Sequence, residues 1–172
     1  MYEIDQKDKV EELTKIPQSS IGAPIPVVLA SEHKVAVAYY CENREECWDG
    51  SSIKIVDSKS SDEPIAIIVF DRCTSHYFGP PNDEAFSGHP LAEAGLEPYG
   101  SFEVIDSSWI RKLEQMNSVH PYHNKVDFMV GKRHFILTFH DSIFECVAKS
   151  FDIHIGHGSI ESIIPKMAEL AL

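Results

Sequence analysis

The side chains best equipped for chemistry fall in two short runs. In the first, Asn82, Asp83, Glu84 and His89 bring an amide, two carboxylates and an imidazole within eight positions, with the aromatic residues Tyr77, Phe78 and Phe86 beside them. A carboxylate next to an imidazole can orient it for proton transfer or for metal binding, and aromatic walls can hold a ligand. Asp83 or Glu84 is thus a candidate general base with His89 as its imidazole partner, and Phe78, Asn82 and Phe86 are candidate binding residues. The same residues also have a structural reading, in which Asn82 or Asp83 caps a short helical turn near Glu84 and His89-Pro90 ends it. Gly79-Pro80-Pro81 and Gly88-His89-Pro90 restrict the backbone on either side, so an ordered loop is expected.

The second run is Phe139-His140-Asp141-Ser142-Ile143-Phe144-Glu145-Cys146, at an expected hairpin tip. Strand alternation puts Glu145 with Ile143 on one face and Cys146 with Phe144 on the other, dividing the polar groups. Cys146 with His140 has the residue types of a Cys-His nucleophile, but core packing is the better reading of this cysteine. His140-Asp141-Ser142 is rejected as a serine triad, because sequential neighbours on a turn do not reach the in-line geometry and no G-x-S-x-G elbow exists. His140 stays a catalytic candidate through a pocket formed where the 78–91 loop meets the 140–142 turn. His120 with His123 and His154 with His157 are spaced i, i+3, yet Pro and Gly nearby favour loops over a metal-binding helix turn. His33 and His134 take structural readings. No metal site is assigned, and no cofactor is identified.

These groups need a scaffold, and the pattern along the chain supplies one. A brief helix is expected from Val10, Leu13 and Ile16. Hairpin signals follow at 25–41, 52–73 and 133–148, with residues 64–73 the most apolar strand. The Pro- and Gly-rich segment 74–100 reads as a long functional loop. A strand at 101–106 leads to Ser107-Ser108, which can cap a helix carrying Trp109, Ile110, Leu113 and Met116 at helical spacing. A terminal amphipathic helix spans 160–171. Hairpins separated by short turns, with a few helices, predict a single α+β domain over 1–172 on a mainly antiparallel sheet.

The chain's 172 residues, with 15 Lys and Arg against 27 Asp and Glu, carry a formal charge of −12. Such a balance argues against nucleic-acid binding, which draws on clustered cations. No stretch reaches the roughly 18 to 20 apolar residues of a membrane helix, and no leader-like N-terminus is present, so a soluble cytoplasmic protein is expected. Cys41, Cys47, Cys73 and Cys146 contain no C-x-x-C pair and read as reduced thiols.

Residues 78–86 and 88–91, Ser107-Ser-Trp-Ile110 and residues 135–146 resemble runs in an uncharacterised bacterial protein family, over roughly 64–148. That resemblance implies no activity, cofactor or site. Two functional expectations come from the residues themselves. The first is an acidic binding protein that recognises a protein partner, as inhibitor or immunity proteins do, with Trp48 in the carboxylate-rich run 42–49 as its anchor. The second is a small hydrolase or small-molecule-modifying enzyme using Asp83, Glu84, His89 and His140. An apolar sheet face left uncovered would make the protein a homodimer.

Overall fold

The computed structural model describes residues 2–43 and 55–172. Trp48 and most of the 42–49 run lie outside the described residues. The strands are β1 (Lys9–Glu12), β2 (Val27–Ala30), β3 (Lys34–Tyr40), β4 (Glu63–Asp71), β5 (Ser75–Gly79), β6 (Ser101–Ile105), β7 (Arg133–Thr138), β8 (Ile143–Ala148) and β9 (Ser150–Gly158). The helices are α1 (Ser108–Asn117), α2 (Lys125–Met129) and α3 (Ile160–Ala171). Among the described residues all pairings are antiparallel, in a five-stranded sheet ordered β1-β6-β7-β8-β5 and a four-stranded sheet ordered β2-β3-β4-β9. The class is α+β, as expected, but the strands divide between two sheets where one was expected.

The two sheets pack face to face. Val35, Val37 and Tyr39 of β3 and Ile68 and Phe70 of β4 meet Phe135 and Leu137 of β7 and Phe144, Cys146 and Ala148 of β8 in one buried cluster. On the far side of the four-stranded sheet, Ala36, Ala38, Tyr40, Ile65 and Val69 pack on Ile160, Met167 and Ala171 of α3. With both faces covered, β3 and β4 need no polar side, which is why they read as continuous apolar runs. Ser159 caps α3 in a capping box with Ser162.

Four expectations are corrected. Residues 9–12 form a strand, because Val10 packs with the outer cluster of the five-stranded sheet while Leu13 and Ile16 turn into the inter-sheet cluster. Their three-residue spacing never faces one surface. The 52–73 hairpin does not form over its described part: residues 55–57 are not in a strand and Ile55 is 86% exposed. β4 pairs instead with β3 and with β9, so residues 150–158 are a strand and not a loop. Finally, the 74–100 segment opens with β5, an edge strand against β8, before its two short 3-10 turns, Phe86–Gly88 and Ala92–Ala94.

Candidate functional site

The outer face of the five-stranded sheet carries a buried polar network that unites residues from five parts of the chain. Glu145 on β8 shares that face with Ile143, while Phe144 and Cys146 point into the inter-sheet cluster, the division that strand alternation requires. Across the ladder, Glu145 opposes Ile136 and His134 opposes Val147. His134 is therefore a diagonal neighbour of Glu145, within reach of long side chains. Its Nε2 lies 3.0 Å from Glu145 Oε2. His89 enters from the 3-10 turn, its Nε2 3.1 Å from Glu145 Oε1. The hydroxyl of Tyr2 donates to Oε2 at 2.8 Å.

The protonation pattern follows from the remaining contacts. The Leu91 N–H donates to His89 Nδ1 at 3.1 Å, so that nitrogen carries no proton and Nε2–H donates to Glu145. Ser107 Oγ accepts from the Ile110 N–H as the cap of α1 and lies 2.9 Å from His134 Nδ1, to which its hydroxyl is assigned as donor. His134 is assigned the same Nε2–H tautomer by this hydrogen-bond pattern. Two neutral imidazoles and a phenol thus surround one carboxylate. Burial pushes the Glu145 carboxyl up, but the hydrogen bonds from His134 and His89, together with the electrostatic attraction of those rings when protonated, outweigh it and hold the group at about 2. Burial, together with the charge of Glu145, raises the Tyr2 hydroxyl.

Local sequence explains how these groups are held. Asp106, at φ 52°, turns the chain from β6 into α1, a conformation Asp tolerates better than most residues. Tyr2 is held by a tied N-terminal strap: the buried Asp8 accepts from the Ser108 N–H at 2.6 Å and from its hydroxyl, and Arg111 pairs with Asp5 at 2.8 Å. The Tyr2 ring then stacks on Trp109 at 5.4 Å and meets His134 edge-on.

Beside this network is a cavity of about 290 Å³ with Glu145 and Tyr2 in its lining. Trp109, Leu113 and Met116 of α1 and Tyr77 of β5 supply its aromatic and apolar walls, and His76 and Lys112 also line it. Lys112 Nζ lies 3.5 Å from Gln115 Oε1, and Gln115 lines a neighbouring, more open cavity with Asp5 and Glu114. Every imidazole nitrogen of the network has a hydrogen-bond partner.

The residues singled out in the sequence separate into two groups. Asp83 and His140 come together at the surface: the Asp83 N–H donates to the His140 carbonyl at 2.9 Å, and Tyr99 donates to the Asp83 carboxylate. His140 Nδ1 lies 3.0 Å from Asp141 Oδ1, a contact that raises the imidazole, with Asp83 and Glu84 adding to it. The hydrogen bond from Tyr99 lowers Asp83. His89 belongs to the buried network instead, stacked with the buried Phe86 at 6.1 Å. Asn82 Oδ1 accepts from the Ala85 N–H at 3.0 Å just ahead of the Phe86–Gly88 turn, whose own N-cap, Ala85, makes no side-chain cap bond, and Phe78 is 42% exposed on β5. His154 and His157 lie on strand β9, where i, i+3 spacing sends side chains to opposite faces. His123 bonds Glu114 at 2.8 Å. Among the described residues, no three His, Cys, Asp or Glu side chains are arranged to hold a metal ion. Cys41, Cys73 and Cys146 are free thiols, and burial raises Cys146 far above an ordinary thiol.

Sequence reasoning did not pair His89 with Glu145, left His134 as structural, and missed Tyr2, Ser107 and Trp109 as members of one site. One signal was accessible: His134 and Glu145 have the parity that places both on the same face of an expected hairpin. Comparison with protein-family models, curated proteins and solved structures finds no match.

Proposed function

We propose that the protein binds a small organic molecule in the cavity beside Glu145. The observation that carries this reading is the pairing of aromatic and apolar walls with one preorganised polar group in a concavity at the small end of the ligand-site range, roughly 300 to 1,000 Å³. Reduced thiols favour a cytoplasmic setting. Ligand-observed NMR with a fragment library tests the reading on wild type and Met116→Trp, a change that fills the cavity mouth from a 64% exposed position. Fragments should bind wild type and be lost from the variant. A library with no hit sensitive to Met116→Trp would overturn the reading.

A second reading, recognition of a protein partner, is favoured by a different observation. Met116, Val119, Tyr122, Val126 and Val130 are exposed large apolar side chains within fifteen residues spanning the end of α1 and α2. Exposed apolar clusters mark interaction surfaces. Of the five Lys or Arg in residues 111–133, Arg111 pairs with Asp5 and Arg133 with Glu103, so the cluster is read from its apolar side chains. Light scattering separates self-association from a foreign partner, and Val126→Asp should abolish whichever association occurs; unchanged association would count against this surface.

A further inference from the structure

We infer that the cavity beside Glu145 selects an organic cation, an amine on an aromatic or apolar body. This rests on the small-molecule reading above and names the ligand class.

The inference starts from charge. Glu145 is 1% exposed and its three described hydrogen-bond donors are Tyr2, His89 and His134. The Nδ1 atom of His89 accepts from the Leu91 N–H, so that ring brings no positive charge, and with Ser107 assigned as the donor to His134 Nδ1 the second ring brings none either. Hydrogen bonds stabilise the carboxylate but do not cancel it. Among the described residues, no Lys or Arg ion pair reaches it. A buried anion bordering a cavity favours a ligand that brings the missing positive charge.

The walls point the same way. Trp109, Tyr77 and Tyr2 present indole and phenol rings to the same space, and aromatic faces attract ammonium groups. Oε2 accepts from Tyr2 and His134 and Oε1 from His89, so the carboxylate acts on the cavity through its charge. Leu113 and Met116 would cover the apolar body of the ligand. The one cation in the lining, Lys112, is on the exposed side of α1 and is engaged with Gln115, which lines the neighbouring cavity. His76, also exposed, stacks near Phe144 at 6.4 Å.

Three probes of nearly equal shape decide the matter on the full chain: phenethylamine, 2-phenylethanol and phenylacetate, titrated by calorimetry near neutral pH. Phenethylamine should bind at least tenfold more tightly than the alcohol, with the carboxylate weakest. Met116→Trp should abolish binding without touching the network. Glu145→Gln, where it folds, should erase the preference for the amine while leaving the alcohol's affinity within a few fold. If the alcohol or the carboxylate binds as well as the amine and all are lost in Met116→Trp, the cation inference fails and the small-molecule reading stands. If none of the three binds wild type, the inference fails, and the fragment screen then decides whether the cavity takes any other small molecule.

Discussion

The molecule contains two clusters built from the same side-chain types, and burial sets them apart. In the network around Glu145, a carboxylate and two imidazoles are buried between sheet, α1 and the 3-10 turn, with a half-buried tyrosine beside them. In the cluster around Asp83, two carboxylates, an imidazole and a tyrosine sit at the surface where the 78–91 loop meets the 140–142 turn. Burial makes each contact of the first obligatory, because an unpartnered polar group there has no water to replace the partner. Water reaches His140 and Asp141 in the second, although one carboxylate oxygen of Asp83 is buried there. The same chemistry therefore specifies structure in one place and tunes surface charge in the other.

The largest effect that could break this contrast is loss of Glu145. Glu145→Ala removes the acceptor of Tyr2, His89 and His134 at once and opens a gap beside the cavity. It should cost about 3 to 5 kcal/mol by urea denaturation, the range for breaking a buried charged network. His89→Ala should also lower stability, because that ring is buried and bonded through both nitrogens. If Glu145→Ala melts like wild type, the network is incidental.

Acid sharpens the comparison next. The folded pKa of Glu145 lies at about 2, below its ordinary 4.5. A group depressed by folding contributes stability that is complete above the unfolded value and disappears as pH falls through the folded one. Wild type should lose stability progressively between about pH 4.5 and pH 2, and Glu145→Gln should show a shallower slope over that window. Equal slopes would mean that the carboxylate is not held ionised by its neighbours.

How much of this was legible in the sequence depends on how far each contact reaches. Local features were readable: the Ser107 cap and the helix after it, and the β7–β8 hairpin. β9 was obscured because Gly156, Gly158 and two histidines interrupt an alternation that an edge strand, half facing solvent, does not need to keep. β1 was misread because its apolar neighbours serve two different cores. The buried network was hidden by distance along the chain. Glu145 lies 56 residues from His89 and 143 from Tyr2, separations at which no spacing rule operates. His89 was recognised as chemically capable, but only the fold shows which carboxylate it meets.

A smaller effect tests whether Ser107 belongs to the network or only to α1. Its hydroxyl both caps the helix and donates to His134 Nδ1. Ser107→Ala should cost about 1 kcal/mol for the cap, with a further loss from the buried imidazole nitrogen left without its donor. Ser107→Asp restores a cap acceptor but places a carboxylate against that nitrogen, which should draw a proton onto His134. NMR of the imidazole nitrogens distinguishes the cases: wild type and Ser107→Ala should show an unprotonated Nδ1 on His134, and Ser107→Asp a protonated one. An Nδ1-protonated ring in wild type would overturn the tautomer assignment and return a positive charge to the network.

The smallest effect belongs to the exposed cluster and completes the contrast. The contact with Asp141 raises His140 first, with Asp83 and Glu84 adding through charge, so the imidazole should titrate above its ordinary 6.5. A raised folded value means that any stability this contact contributes is present below the ordinary value and lost as pH rises through the folded one. Water competes for both partners, so that contribution is small and salt-sensitive. His140→Ala should leave the melting midpoint unchanged within error near neutral pH, in contrast to His89→Ala, although both replace an imidazole beside a carboxylate. Asp141→Asn should bring the His140 titration, followed by its ring-proton NMR shifts, back toward 6.5, and added salt should do so in part. A His140→Ala variant that melts as early as His89→Ala would mean that the surface cluster holds the 78–91 loop in place, and the distinction between the two clusters would collapse.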